Sequence, residues 1–252
     1  MSSKIILITG GNTGLGLEIA RALCQSSKSY KILLAGRSLE KATVATQKLA
    51  SGQLNGSTTS INSAFKFVEE EFGRLDVLVN NAGANFDREL YLGKVSLREA
   101  WNKSWAVNTV GSHVVSSVFT PLLLKSADPR LIFIASGTAT LHGQTKEERF
   151  TNRAPAKGWP KEELGWSAYR SAKTGINIMM REWARVLKED KVKVCAVSPG
   201  LLVTGLGGDQ ELLRQMGAID PQIGAELVTS VIEGERDTDM GLVINMAGVQ
   251  PW

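Results

Sequence analysis

The sequence is poor in the residues that build metal centres and disulfide frameworks. Its 252 residues include only two cysteines, Cys24 and Cys195, and two histidines, His113 and His142. Both cysteines sit in apolar segments ("ALC" and "VKVCAVS") and read as buried free thiols; a framework of bridges needs more cysteines in a shorter chain. With no Cys/His cluster, no metal site is expected. Long apolar runs are also missing. The first, in "KIILITG", is too short for a signal-peptide core or a membrane span, so no membrane association is expected and a cytoplasmic location is the default. Charge of one sign is scarce: 29 basic against 25 acidic residues leave a net +4. Without Lys/Arg clusters this gives no nucleic-acid footprint.

What is present describes a folded α/β protein. Hydrophobic residues make up 43% and charged residues 21%, which suits a globular chain and not a disordered one. Short apolar runs bounded by Gly, Pro or Asn occur at 4–10, 30–36, 75–83, 130–136 and 192–200. They alternate little between apolar and polar, as strands covered on both faces do. Helically spaced segments separate them. Leu15, Ile19, Ala22 and Leu23 share one face; Ile61, Phe65, Val68 and Phe72 share another; residues 168–188 repeat the pattern. This alternation predicts one parallel, doubly wound sheet with helices on both faces, in a single domain over 1–252. Residues 143–166 stand apart: polar, with two prolines and nine charges, they read as an inserted loop or lid.

The turn "TGGNTGLG" joins the first strand to the first helix and places Gly10, Gly14 and Gly16 in a G-x-x-x-G-x-G spacing. Backbone N–H groups and the positive helix end accept a diphosphate there only if no β-carbon intervenes. A second motif, "YRSAK", sets Tyr169 and Lys173 four residues apart, on one helical face. A phenol is normally too weak an acid to ionise at neutral pH. A neighbouring ammonium stabilises the phenolate and is expected to lower that pKa.

Taken together, "TGGNTGLG", "NNAG" at 80–83, "VN" at 107–108, Ser136, Tyr169-x-x-x-Lys173 and "PG" at 199–200 resemble the short-chain dehydrogenase/reductase family, in the family's order along nearly the whole chain. "TGGN" at 9–12, the insert ahead of "GWSAY" and Trp252 are similar to the carbonyl reductase branch. The resemblance implies a Rossmann-type fold and hydride transfer between a nicotinamide cofactor and a carbonyl or alcohol. Tyr169 would be the proton donor in reduction. Lys173 would tune it and hold the nicotinamide ribose, Ser136 would hold the substrate oxygen, and Asn108 would bind a relay water.

The same resemblance assigns cofactor contacts. Gly10, Asn12, Thr13, Gly14, Leu15 and Gly16 would cradle the diphosphate; Asn80, Ala82 and Gly83 would line the adenosine ribose; Asn55 would meet the adenine; Pro199, Leu202 and Thr204 would frame the nicotinamide. At the end of the second strand, NAD-preferring sites carry an acidic residue. Here Gly36 stands there and Arg37 follows, and a guanidinium can pair with a 2′-phosphate. NADPH/NADP+ is therefore expected in preference to NAD, although Thr13 stands where carbonyl reductases often have Lys.

The loop Leu201–Gly208 ("LLVTGLGG") is apolar and glycine-rich, matches the family's mobile substrate loop, and implies a small apolar carbonyl: a ketone, aldehyde or quinone. By analogy with carbonyl reductases the insert favours a monomer over a homo-oligomer. Trp159 is expected to anchor the insert, and Trp101, Trp105 and Trp183 to pack in the core. The alternatives are NADP-dependent alcohol dehydrogenation, a non-redox catalyst, and a regulatory protein on the same fold.

Overall fold

In the computed structural model, residues 3–36, 38, 43–45, 60–147, 150–159, 161 and 165–252 are described. Arg37 and Asn55 lie outside them.

Seven strands form one sheet in the order β2-β1-β3-β4-β5-β6-β7. They are β1 (Lys4–Thr9), β2 (Tyr30–Ala35), β3 (Val77–Asn80), β4 (Arg130–Ile134), β5 (Lys193–Val197), β6 (Val243–Asn245) and β7 (Gly248–Val249). All pairings are parallel except β6 with β7. The five apolar runs of the sequence are β1 to β5. Strands β6 and β7 add a three-residue and a two-residue piece that the sequence reading did not mark. Segments so short carry no period of their own and exist by pairing, β6 with β5 and β7 with β6.

Side chains alternate across the sheet. In β1, Ile6 and Ile8 enter one buried cluster and Ile5 and Leu7 the other. The first cluster is closed by α1 (Gly14–Gln25) and α9 (Pro221–Glu233), through Ile19, Leu23, Val228 and Ile232. The second is closed by α2 (Ile61–Phe72), α5 (Gly111–Leu123) and α7 (Ser167–Val186), through Val68, Phe119, Leu123, Ile176 and Met180. Burying each of these large side chains contributes about 1.5–3 kcal/mol.

Helix ends follow local chemistry. Ser60 caps α2, and Gly73 ends it at φ 69°. Ser96 and Glu99 form a reciprocal capping box at α4 (Leu97–Trp105). Helix α4 runs through a π turn at Ala106–Val110 into α5. Among the described residues there are also three short helices, α3 (Asp87–Tyr91), α6 (Leu141–Gln144) and α8 (Gln210–Gln215).

Two aromatic expectations fail. Trp159 is 81% exposed, so it does not anchor the insert against the described residues. Trp105 lies against α7 where Gly175 admits its ring, yet 37% of it stays exposed. Trp183 does pack against the second cluster. Cys195 is buried, which pushes its thiol up to about 12, and Cys24 is half-buried; both are free. Among the described residues, no group of His, Cys, Asp and Glu could hold a metal ion, and no helix is long and apolar enough to cross a membrane.

Candidate active site

The candidate residues gather where β1, β3, β4 and β5 end, the edge at which parallel sheets present their loops. Ser136 follows β4. Tyr169 and Lys173 lie on the first turns of α7, which is bound to the Ser136 loop: Thr174 Oγ1 donates to the Ala139 carbonyl at 3.0 Å, and the Ala139 N–H donates to the Ser136 carbonyl at 3.0 Å.

Lys173 is buried, and its Nζ donates to the Ile134 carbonyl at 2.7 Å. The same Nζ stands 5.8 Å from the Tyr169 ring centroid. Burial pulls the Lys173 ammonium down to about 8. Tyr169 is half-buried, and loss of hydration pushes its phenol up to about 12, with the nearby Ser136 hydroxyl acting in the opposite direction. The expected lowering of the phenol by Lys173 is therefore not the net result here. Desolvation sets the direction, and the Lys173 ammonium is bonded to the Ile134 carbonyl.

Asn108 sits in the π turn, fully buried. Such single-turn widenings often mark functional positions. Asn108 Nδ2 donates to the carbonyls of Ala84 and Ser104, both at 2.8 Å, and its Oδ1 accepts the Ala84 N–H at 3.2 Å. Both Nδ2 hydrogens are engaged, so any relay water has to meet Oδ1 or the main chain. A β-carbon on Gly83 would stand 3.0 Å from Asn108 Oδ1 and 3.5 Å from Lys173 Nζ. Gly83, Asn108, Lys173, Tyr169 and Ser136 thus form one connected site.

The glycine turn is held by residues that the sequence reading passed over. Thr9 Oγ1 accepts the N–H groups of Asn81 and Ala82, each at 3.0 Å, and Asn81 Nδ2 donates to the carbonyls of Thr9 and Gly10 at 2.8 and 3.2 Å. A β-carbon on Gly16 would come within 2.5 Å of both the Gly10 carbonyl and Asn81 Nδ2. Gly16 is thus demanded by the protein's own packing, in addition to any approach of a ligand. Gly10 and Gly14 adopt left-handed φ of 64° and 53°. Thr204 lies 3.5 Å from the β-carbon position of Gly14, which brings the loop after β5 to the turn, and Asn12 lies 3.4 Å from that of Gly36. Pro199 and Leu202 pack on Gly224 of α9.

Asn80 is different. Its side chain points away from the turn: Nδ2 donates to Ser116 Oγ at 2.9 Å on α5, and Oδ1 has no partner. The second Asn of "NNAG", not the first, reaches the glycine turn.

Two further residues join the site. Gln250 Nε2 donates to the Ser136 carbonyl at 3.2 Å. Arg170 ties α7 to the insert: its guanidinium donates to the Thr151 carbonyl at 2.9 Å, to Asn152 Oδ1 at 2.6 Å and to Gln144 Oε1. No local pattern announces Gln250; Arg170 lay inside the quoted motif, but its partners come from the insert. A groove of about 370 Å3 between α1 and α9, lined by Glu18, Arg21, Glu226 and Glu233 among others, holds none of the candidate residues.

Residues 4–147 match the short chain dehydrogenase family. The short-chain dehydrogenase/reductase eupG of Phoma sp is 42% identical over 272 residues, covering 98% of this chain and 97% of that protein. Carbonyl reductase (NADPH) 1 of Homo sapiens is 28% identical over 289 residues, covering 100% of both. The crystal structure of NADPH-bound carbonyl reductase from chicken fatty liver shares the fold, with a TM-score of 0.80 over 100% of both chains at 22% identity. With the glycine turn, "NNAG" and the Ser136–Tyr169–Lys173 cluster on one edge of the sheet, the chain belongs to the short-chain dehydrogenase/reductase family of oxidoreductases.

Proposed function

We propose that this protein reduces the carbonyl group of a small apolar ketone, aldehyde or quinone, using NADPH and Tyr169 as the proton donor. The observation that carries the reading is the convergence of Tyr169 and Lys173 on α7, with Lys173 Nζ 5.8 Å from the phenol ring and Gly83 in front of it, on a helix tied to the Ser136 loop through Thr174 and Ala139.

The chain's own residues fit a dinucleotide. The turn has left-handed glycines at 10 and 14, no side chain at Gly83 in front of Lys173, and Thr204 over Gly14. When bound, the reduced nicotinamide supplies the hydride. Ser136 and Tyr169 would both donate to the substrate oxygen as negative charge develops on it. Tyr169 would then give up its proton; with a pKa of about 12 it stays protonated at neutral pH, in the form that a donor needs. Lys173 would hold the ribose hydroxyls and stabilise the phenolate that remains. Asn108 fixes the Gly83–Ala84 backbone beside it.

The preference for NADPH is supported by Gly36, where no carboxylate can repel a 2′-phosphate, by Arg37 after it, and by relatives named NADPH carbonyl reductases. The test is loss of reduced-cofactor absorbance with a carbonyl panel. Turnover with NADPH, lowered about a hundredfold or more but still measurable in Tyr169→Phe and shifted toward NADH in Arg37→Ala, is expected. No turnover on any carbonyl, or full activity in Tyr169→Phe, overturns the reading.

A further inference from the structure

Helix α7 begins without a cap of its own. Trp166 occupies the N-cap position and makes no side-chain capping bond, and Gly165 before it has φ 65°. The cap comes from 81 residues away. Asp87 Oδ1 accepts the N–H of Ala168 at 3.0 Å, and Asp87 Oδ2 accepts the N–H of Tyr169 at 2.9 Å. These are the second and third amides of the helix, the pair that a local Ser or Asp would normally satisfy.

We propose that Asp87 is a positioning residue for the catalytic step, holding Tyr169 by its own main-chain nitrogen. This rests on the proposed role of Tyr169 as proton donor. Asp87 is 4% exposed, so its carboxylate is placed where charge is disfavoured unless it is matched. The match is two N–H groups and the positive end of a 20-residue helix. The Asp87 main chain is itself held in place, since its N–H donates to Asn85 Oδ1 at 2.9 Å. Only the helix start separates this anchor from the reacting hydroxyl. A shift of the Tyr169 nitrogen carries the α-carbon and the phenol with it, away from Ser136. The next residue, Arg88, lies against the β-carbon position of Gly208, at 3.2–3.4 Å. One short turn therefore touches both the start of the catalytic helix and the end of the loop after β5.

The proposal separates from simple helix stabilisation by three readouts. In Asp87→Ala, kcat for carbonyl reduction is expected to fall about tenfold or more, as misplacement of a reacting group does, while NADPH affinity measured by fluorescence stays within about twofold. Asp87→Asn keeps one acceptor and is expected to fall between the wild type and Asp87→Ala; it also serves if the alanine variant does not fold. In a Tyr169→Phe background, Asp87→Ala should remove little further activity, because the two changes act on the same group. An unchanged kcat in a variant that is merely less stable overturns the proposal, as does the same fold-loss with and without Tyr169. If the wild type reduces no carbonyl, the functional reading fails, and hydrogen exchange of the Ala168 and Tyr169 amides still reads the anchor: exchange in Asp87→Asn equal to wild type overturns it.

Discussion

Gly83 faces Lys173 with nothing between them: a β-carbon at position 83 would stand 3.5 Å from the ammonium nitrogen. On its other side it would press to 3.0 Å against Asn108 Oδ1. Asn108 has little room to yield, because its amide is bonded to Ala84 and Ser104. Gly83→Ala is therefore expected to cost about 1–3 kcal/mol of stability, as overpacking does, and to lower turnover. Urea denaturation and steady-state kinetics check it; an alanine variant with wild-type stability and activity contradicts the geometry.

Lys173 gives the cofactor-free protein a defined pH response. Its folded pKa is about 8, against roughly 10.4 in an unfolded chain. Between those values the unfolded chain holds a proton that the folded one has released, so stability rises with pH across the window, by on the order of 3 kcal/mol. Below about 8 both states are protonated and the burial penalty is complete. Lys173→Met is expected to lack this rise. The Tyr169 phenol works in the opposite sense, with a folded value of about 12 above its ordinary one, and its contribution is lost as pH climbs from 10 toward 12. Denaturation of both proteins at about pH 7.5 and pH 10 separates the two slopes.

Arg170 binds the first half of the insert to α7 through Gln144, Thr151 and Asn152, and Asn152 in turn donates to the carbonyls of Gly143 and Lys146. Arg170→Ala removes these bonds from α7 to the insert. Each bond contributes about 1 kcal/mol, so local opening of residues 141–152 should increase by about tenfold or more. Limited proteolysis and hydrogen exchange measure this directly. Unchanged exchange across that segment contradicts the assignment.

The far edge of the sheet carries a charge cluster away from the site. Asp128 receives Lys4 and Lys193, each at 2.7 Å, and Arg130 at 3.1 Å; Asp237 receives Lys193 at 2.6 Å and also pairs with Arg130. Burial alone would raise Asp128, but the bonds from Lys193 and Lys4 and the charge of Arg130 hold it well below the usual carboxylate range. Asp237 is lowered chiefly by its bond from Arg130. A depressed folded pKa stabilises above the unfolded value near 4, and that stability is lost as pH falls below it. Asp128→Asn should be less stable at pH 7, show a shallower loss on acidification, and keep wild-type turnover. A wild-type acid profile in the variant contradicts this.

Much of this molecule is written locally. Apolar runs four to six residues long, covered on both faces, could only be strands of a parallel sheet, and the helical spacing of Leu15, Ile19 and Leu23 matches the face that α1 buries. The glycine turn and Tyr169-x-x-x-Lys173 were also legible, because each needs specific residues at fixed short spacing: glycines to remove β-carbons, and a phenol and amine on one helical face. The sequence by itself thus determined the strand–helix order and the candidate chemistry. Tertiary structure decided what lies across long separations. Strand β6 exists through pairing with β5, and β7 through pairing with β6. The capping of Tyr169 by Asp87, the hold of Asn81 on Gly10, and the clamp of Arg170 on Asn152 link residues with no shared period. The pKa of Tyr169 was likewise set by enclosure. Spacing shows that Lys173 is near, but only the folded surroundings show how much water the phenol has lost.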